Sequence, residues 1–126
     1  MRAKILVVDD MPEIRSLMWT ILGSAGYEVS TAATFEEAKQ ILDRETPDLV
    51  LLDIRLGAYN GLQLAVKIRA EHPTHPIVMM SGYVDPVLVE EARRQGAEFI
   101  EKPVDSSHLL ELVERMLARN SPDRKM

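Results

Sequence analysis

Three stretches of this chain are apolar without a break, and each stops at a polar side chain. Ile5–Val8 runs into Asp9 and Asp10, Leu49–Leu52 into Asp53, and Ile77–Met80 into Ser81. Short apolar runs of this kind, rich in branched residues, read as strands buried on both faces. Tyr27–Ala32 ("YEVSTA") alternates instead, as a strand with one covered face does, and Ala97–Ile100 is a fifth strand that leads to Lys102.

Between these runs the apolar positions change to helical spacing. Ile14, Leu17, Met18, Ile21, Leu22 and Ala25 follow Pro12, which suits the first turn of a helix because its missing N–H is not needed there. Gly26 ends that helix. "TFEE" (Thr34 to Glu37) is a capping box for a second helix with Ala38, Ile41 and Leu42 inward, ended by Pro47. Leu62, Leu64, Ala65 and Ile68 mark a third, ended before Pro73. Asp85-Pro86 caps and opens a fourth, with Val87, Leu88 and Ala92, which stops at Gly96 in a left-handed C′ position. Asp105 caps a fifth that carries Leu109, Leu112, Val113, Met116 and Leu117.

Five strands alternating with five helices predict a parallel sheet covered on both sides. Right-handed crossovers leave few topologies. The expected fold is α/β, a flavodoxin-like doubly wound (βα)5 sheet in the order 2-1-3-4-5. Residues 1–119 form one domain, and "NSPDRKM" (120–126) is a tail or linker stub.

Two positions fit the helices poorly. Trp19 lies away from the Ile14/Met18/Ile21/Ala25 face and is expected to be exposed. Val87, Leu88 and Val89 are consecutive, so all three cannot face the core, and at least one should lie near the surface. His72 and His75 flank Pro73 without a partner motif and read as solvent residues.

Composition narrows the class. The 126 residues are 46% hydrophobic, enough to bury a core without staples, and there is no cysteine for disulfides or thiolate metal sites. That suits a reducing cytoplasm. No segment reaches the roughly 20 apolar residues that span a bilayer, and "MRAKILVVDD" meets acids too early for a signal peptide. A net charge of −5 argues against direct nucleic-acid binding by this segment, which needs clustered Lys and Arg.

In a parallel sheet every strand's carboxyl end lies on one edge, where ligands bind. Asp9, Asp10, Asp53, Ser81 and Lys102 therefore converge. Taken singly, the acid pair could cap a helix, Asp53 could open a loop, Ser81 could cap a turn and Lys102 could be solvated. Their joint placement favours chemistry. Three carboxylates repel unless a cation offsets them, and all-oxygen ligands suit Mg2+. One aspartate can attack phosphorus and become an aspartyl-phosphate, with the cation, Lys102 and Ser81 holding its oxygens.

The ordered set "VVDD" (7–10), "LLDI" (51–54) with Gly61 eight residues beyond Asp53, "MMSGY" (79–83) and "GAEFIEKP" (96–103) resembles the receiver domain of bacterial two-component response regulators, over about residues 3–118. The resemblance implies that Asp53 accepts phosphoryl from a sensor histidine kinase or histidine phosphotransfer protein. It implies Mg2+ held directly by Asp10 and Asp53, by Asp9 largely through water, and by the backbone carbonyl of Arg55. Lys102 would pair with the phosphoryl group, Ser81 would swing to bond it, and Phe99 would turn inward. The Lys102-Pro103 bond would be cis. The surface of helix 4, strand 5 and helix 5 would meet an output partner or a second copy of the chain. The activity implied is that of a switch with modest self-phosphorylation and dephosphorylation, in the cytoplasm and not at a membrane.

Some residues depart from the family's habits. Gly57 stands where a proline is frequent, which implies a more mobile loop. Phe99 replaces a frequent tyrosine, so its inward and outward states differ less in energy. Arg55 and Tyr83 are bulky beside the phosphoryl site and would slow attack by water. Two other classes compete. A haloacid-dehalogenase-like aspartyl-phosphate phosphatase needs a DxD motif after strand 1, whereas these acids are adjacent, and its cap domain does not fit in 126 residues. A flavodoxin-like cofactor carrier needs a Ser/Thr/Gly-rich loop there.

Overall fold

The sheet is held by four parallel pairings. In the computed structural model, described for residues 2–56, 59–82 and 86–119, the strands are β1 (Lys4–Val8), β2 (Glu28–Ala32), β3 (Leu49–Asp53), β4 (Ile77–Ser81) and β5 (Glu98–Glu101). They lie in the order 2-1-3-4-5, with Val8 opposite Ala32 and Leu52, Asp53 opposite Met80, and Ser81 opposite Glu101. The helices are α1 (Pro12–Ser24), α2 (Phe35–Arg44), α3 (Gly61–Glu71), α4 (Pro86–Arg94) and α5 (Ser106–Arg119). This is the flavodoxin-like arrangement expected from the alternation.

Side chains alternate across each strand, so the sheet carries two core layers. Leu6, Val8, Val50, Leu52, Ile77 and Met79 pack under α2, α3 and α4 with Ala38, Leu64, Ile68 and Ala92. Ile5, Val7, Leu49, Leu51, Val78 and Met80 pack under α1 and α5 with Met18, Leu22, Leu109, Leu112 and Met116. Every residue of β3 and β4 is buried, which is why these strands read as unbroken apolar runs. Among the described residues, no helix is long and apolar enough to cross a membrane.

Several helix ends follow from local chemistry. Gly26 and Gly96 have positive φ (96° and 72°), where a side chain would be strained. Thr34 caps α2, its hydroxyl accepting from the Glu37 N–H, while the Glu37 carboxylate accepts from Ala33, one residue outside the cap. The Asp105 carboxylate accepts from the Ser107 N–H at the start of α5. Asp85, the cap expected for α4, lies outside the described residues, as do Gly57, Tyr83 and the tail 120–126.

Some expectations need correction. Leu17 and Ala25 are exposed, because the buried stripe of α1 centres on Met18 and Leu22 and is narrower than the spacing suggested. Tyr27 precedes β2, since its N–H is taken by the Leu22 carbonyl in the turn that ends α1. His75 is not a solvent residue. The guanidinium of Arg69 donates to the carbonyls of Pro73, His75 and Gln95, which folds the loop beneath α3 and half-buries the imidazole. His72 is exposed, and so are Trp19 and Val87.

Candidate functional site

Asp9 stands one residue beyond β1 and is completely buried. Burial of a carboxylate requires partners, and Asp9 has several. Its Oδ1 accepts from the Met11 N–H at 2.9 Å and its Oδ2 from the Lys102 ammonium at 2.8 Å. Its own N–H donates to Ala32, and its carbonyl accepts from the Arg15 guanidinium at 2.7 Å. Asp9 therefore does not cap α1. Met11 takes the N-cap position with no side-chain hydrogen bond, and the Asp9 carboxylate braces the turn from the strand side. Asp10 lies between them with its side chain exposed.

Asp53 is the last residue of β3 and is 6% exposed. In the alternation of the strands, Asp9 and Asp53 continue the rows that face α1 and α5, so both acids leave the sheet on one side. The Lys102 ammonium lies 3.4 Å from Asp53 Oδ2, and the Arg55 N–H donates to Oδ1 at 3.2 Å. Burial pushes the Asp53 carboxyl above the usual range and the charge of Asp9 adds to this; Lys102 and the Arg55 N–H offset only part of it. For Lys102, burial disfavours the charge, but bonds to Asp9 and the charges of both acids outweigh it and hold the ammonium above its ordinary value. One lysine thus bridges two buried carboxylates.

Asp9, Asp10 and Asp53 each bring a carboxylate oxygen within 4.8 Å of the others. Lys102 pairs with Asp9 and Asp53 alone, so three acids face one ammonium, negative charge is left over, and the donors are hard oxygens. That set fits a cation of the Mg2+ type better than a transition metal. The Arg55 carbonyl lies two residues on from Asp53, in a two-residue strand, Arg55–Leu56, paired antiparallel with Tyr59–Asn60.

The other expected residues gather round this edge. Ser81 ends β4, buried, on the opposite face of the sheet from Asp53. Its carbonyl accepts from the Lys102 N–H at 2.8 Å. Phe99 pairs with Met79 on the face shared with Ser81 and is half-buried against the core under α4. The Lys102-Pro103 peptide bond is cis.

Two residues do more here than the sequence reading allotted them. A Cβ on Gly61 would collide with the backbone oxygen of Asp53, and the Gly61 N–H donates to the Ile54 carbonyl at 2.6 Å. Only glycine lets α3 start this close to the strand that carries Asp53. Arg15 was missed altogether. A cation in the first turn of a helix opposes the macrodipole, and that misfit was the available signal that Arg15 has a particular partner.

The chain matches the response regulator receiver domain over residues 5–114. It is 38% identical over 123 residues to the response regulator protein PilR of Pseudomonas aeruginosa, covering 97% of this chain and 28% of that protein. It is 39% identical over 116 residues to the nitrogen assimilation regulatory protein NtrX of Azorhizobium caulinodans, covering 90% of this chain and 26% of that protein. The chain thus spans about a quarter of the length of these relatives. The crystal structure of the receiver domain of NtrX from Brucella abortus superposes with a TM-score of 0.86 at 40% identity, covering 93% of this chain and 99% of that one. A CheY-like receiver domain protein from Methanospirillum hungatei gives 0.90 at 32% identity, covering 94% and 96%. Fold, strand order and sequence agree along nearly the whole described chain, which belongs to the family of response regulator receiver domains.

Proposed function

We propose that Asp53 is the phosphoacceptor of a two-component or phosphorelay pathway, within a domain formed by residues 1–119. The observation that carries this reading is the placement of the Asp53 carboxylate between a second buried acid, the exposed Asp10 and the Lys102 ammonium. A carboxylate oxygen of Asp53 attacks phosphorus of a phosphohistidine on a sensor histidine kinase or histidine phosphotransfer protein. The P–O bond to Asp53 forms, the P–N bond breaks, and the imidazole leaves with the bonding pair. Asp10, Asp53, the Arg55 carbonyl and Asp9, the last largely through water, would hold Mg2+. When bound, that ion offsets charge on the phosphoryl oxygens. Lys102 needs little movement to pair with a phosphoryl oxygen, because it already lies within 3.4 Å of Asp53.

Ser81 then reads the state of Asp53. Its hydroxyl bonds a phosphoryl oxygen, β4 shifts, and Phe99 turns inward on β5. A groove of about 420 Å³ lined by Val89, Phe99, Ile100, Pro103 and His108 lies on the face made by α4, β5 and α5. Together with the exposed Val87, it supports that face as the surface for an output partner or a second copy. The domain works in the cytoplasm as a switch with slight phosphorylation and dephosphorylation activity of its own. The net charge of −5 supports protein partners over nucleic acid for this segment.

Acetyl phosphate with Mg2+, followed by mass mapping of the adduct, tests the assignment. A single phosphoryl group on Asp53 that is absent from Asp53→Ala is expected. A label that persists on another residue of that variant overturns it.

A further inference from the structure

We infer that Arg15 is a positioning residue for the cation site, acting through the backbone of Asp9. The inference rests on the Mg2+ reading given under Proposed function and concerns what holds Asp10 in place. Asp10 has its side chain in solvent, and its carboxylate reaches the other two only if the backbone of residues 9–11 keeps its course. The customary brace is missing, since the N-cap Met11 makes no side-chain hydrogen bond. Pro12 follows it and cannot donate.

Among the described residues, two side-chain contacts fix this turn. One is the Asp9 carboxylate on the Met11 N–H at 2.9 Å. That carboxylate also holds Lys102 and belongs to the acid cluster, so a cation or a departing lysine redistributes its bonds. The other is the Arg15 guanidinium on the Asp9 carbonyl at 2.7 Å. The carbonyl is not among the clustered carboxylate oxygens, so the Arg15 contact keeps its grip whichever ions the acids hold. Arg15 is itself anchored, because its N–H bonds the Met11 carbonyl at 3.1 Å. The arginine therefore closes a ring from the strand end through the acidic turn to the first turn of α1.

The charge of Arg15 makes the idea testable by sign. As a nearby cation it repels a divalent ion, so its removal by charge alone strengthens binding. As a brace it keeps Asp10 aimed at the site, so its removal weakens binding. Outer-shell partners of metal ligands typically contribute 10–100-fold in affinity, and the low end, about tenfold, is expected for one backbone contact.

The experiment titrates Mn2+ into the protein by electron paramagnetic resonance, with Mg2+ as competitor, for the parent, Arg15→Met and Arg15→Lys. Methionine keeps an unbranched stem and the helix preference of the side chain without donor or charge. Arg15→Met should bind about tenfold more weakly, and Arg15→Lys, which keeps a donor, should return to within about threefold of the parent. The Mg2+ concentration that half-saturates phosphorylation by acetyl phosphate should rise by the same factors. Arg15→Met binding as tightly as the parent or tighter overturns the inference while the Mg2+ reading stands. A loss that Arg15→Lys does not restore is one of general stability and also overturns it. A parent protein that binds neither ion overturns the Mg2+ reading and this inference with it.

Discussion

A buried imidazole nitrogen without a hydrogen-bond partner disfavours a proton, and among the described residues His75 Nε2 is such a nitrogen. Burial, then the charges of His72 and Arg69, lower its pKa from 6.5 to about 4, against a small opposing pull from Asp48. The unfolded chain therefore takes up a proton that the folded chain refuses. The resulting stability is complete above the unfolded pKa of about 6.5 and is lost as pH falls towards about 4. Replacing the ring with one that does not titrate removes this dependence. Between about pH 6.5 and pH 5 the parent should lose about 1 kcal/mol more than His75→Phe, after discount for the ring's partial exposure. Urea denaturation of both proteins at the two pH values measures it, and parallel losses would show that His75 is not responsible. His75 and Arg15 were hard to read from sequence for one reason: each is defined by a long side chain finding a backbone carbonyl. Asp9, Asp53 and Lys102 were legible because each ends a strand whose direction the topology dictates.

At the scale of elements, the short helix α2 depends on its ends. It has 10 residues and buries only Ala38 fully, with Phe35, Ile41 and Leu42 partly covered. Helices of this length are marginal alone. Its first turn is secured by the Thr34 hydroxyl on the Glu37 N–H at 3.1 Å and by the Glu37 carboxylate on the Ala33 N–H at 2.8 Å. Thr34→Ala removes the first bond and leaves the second, so it should cost about 1 kcal/mol of stability. Equilibrium unfolding measures the change, and a difference near zero would mean that the Glu37 arm alone suffices. Caps of this kind were readable because donor and acceptor lie within a few residues. The limits of β2 and the exposed Leu17 were not, since both depend on how α1 sits against the sheet.

For the molecule as a whole, the parallel sheet that gathers the acids also runs, through the pairing of β4 with β5, to the face made by α4, β5 and α5. The topology was legible because β3 and β4 are apolar on both faces, which only a sheet covered twice requires. The connection between site and surface was less so, because it runs through pairings across strands. Ser81 closes β4, its carbonyl holds the Lys102 N–H, and Phe99 sits beside Met79 on the face Ser81 shares. Any movement of Ser81 towards Asp53 thus pulls on both β4 and the end of β5. A ligand shifts such an equilibrium only by its preference for one state. Phe99 has no hydroxyl to secure it outside, so part of the population should occupy the inward state before phosphorylation. Beryllofluoride, which mimics the aspartyl-phosphate, should complete the shift. Amide NMR of the free and beryllofluoride-bound protein should then show changes across residues 86–103, from α4 through β5 to the Lys102-Pro103 bond, with partial averaging already present in the free form. Residues of α2, which packs against β1 and β2, should hold their positions. Changes confined to the residues around Asp53 would mean that Ser81 moves without carrying the sheet, and the coupling to α4 and β5 would be absent.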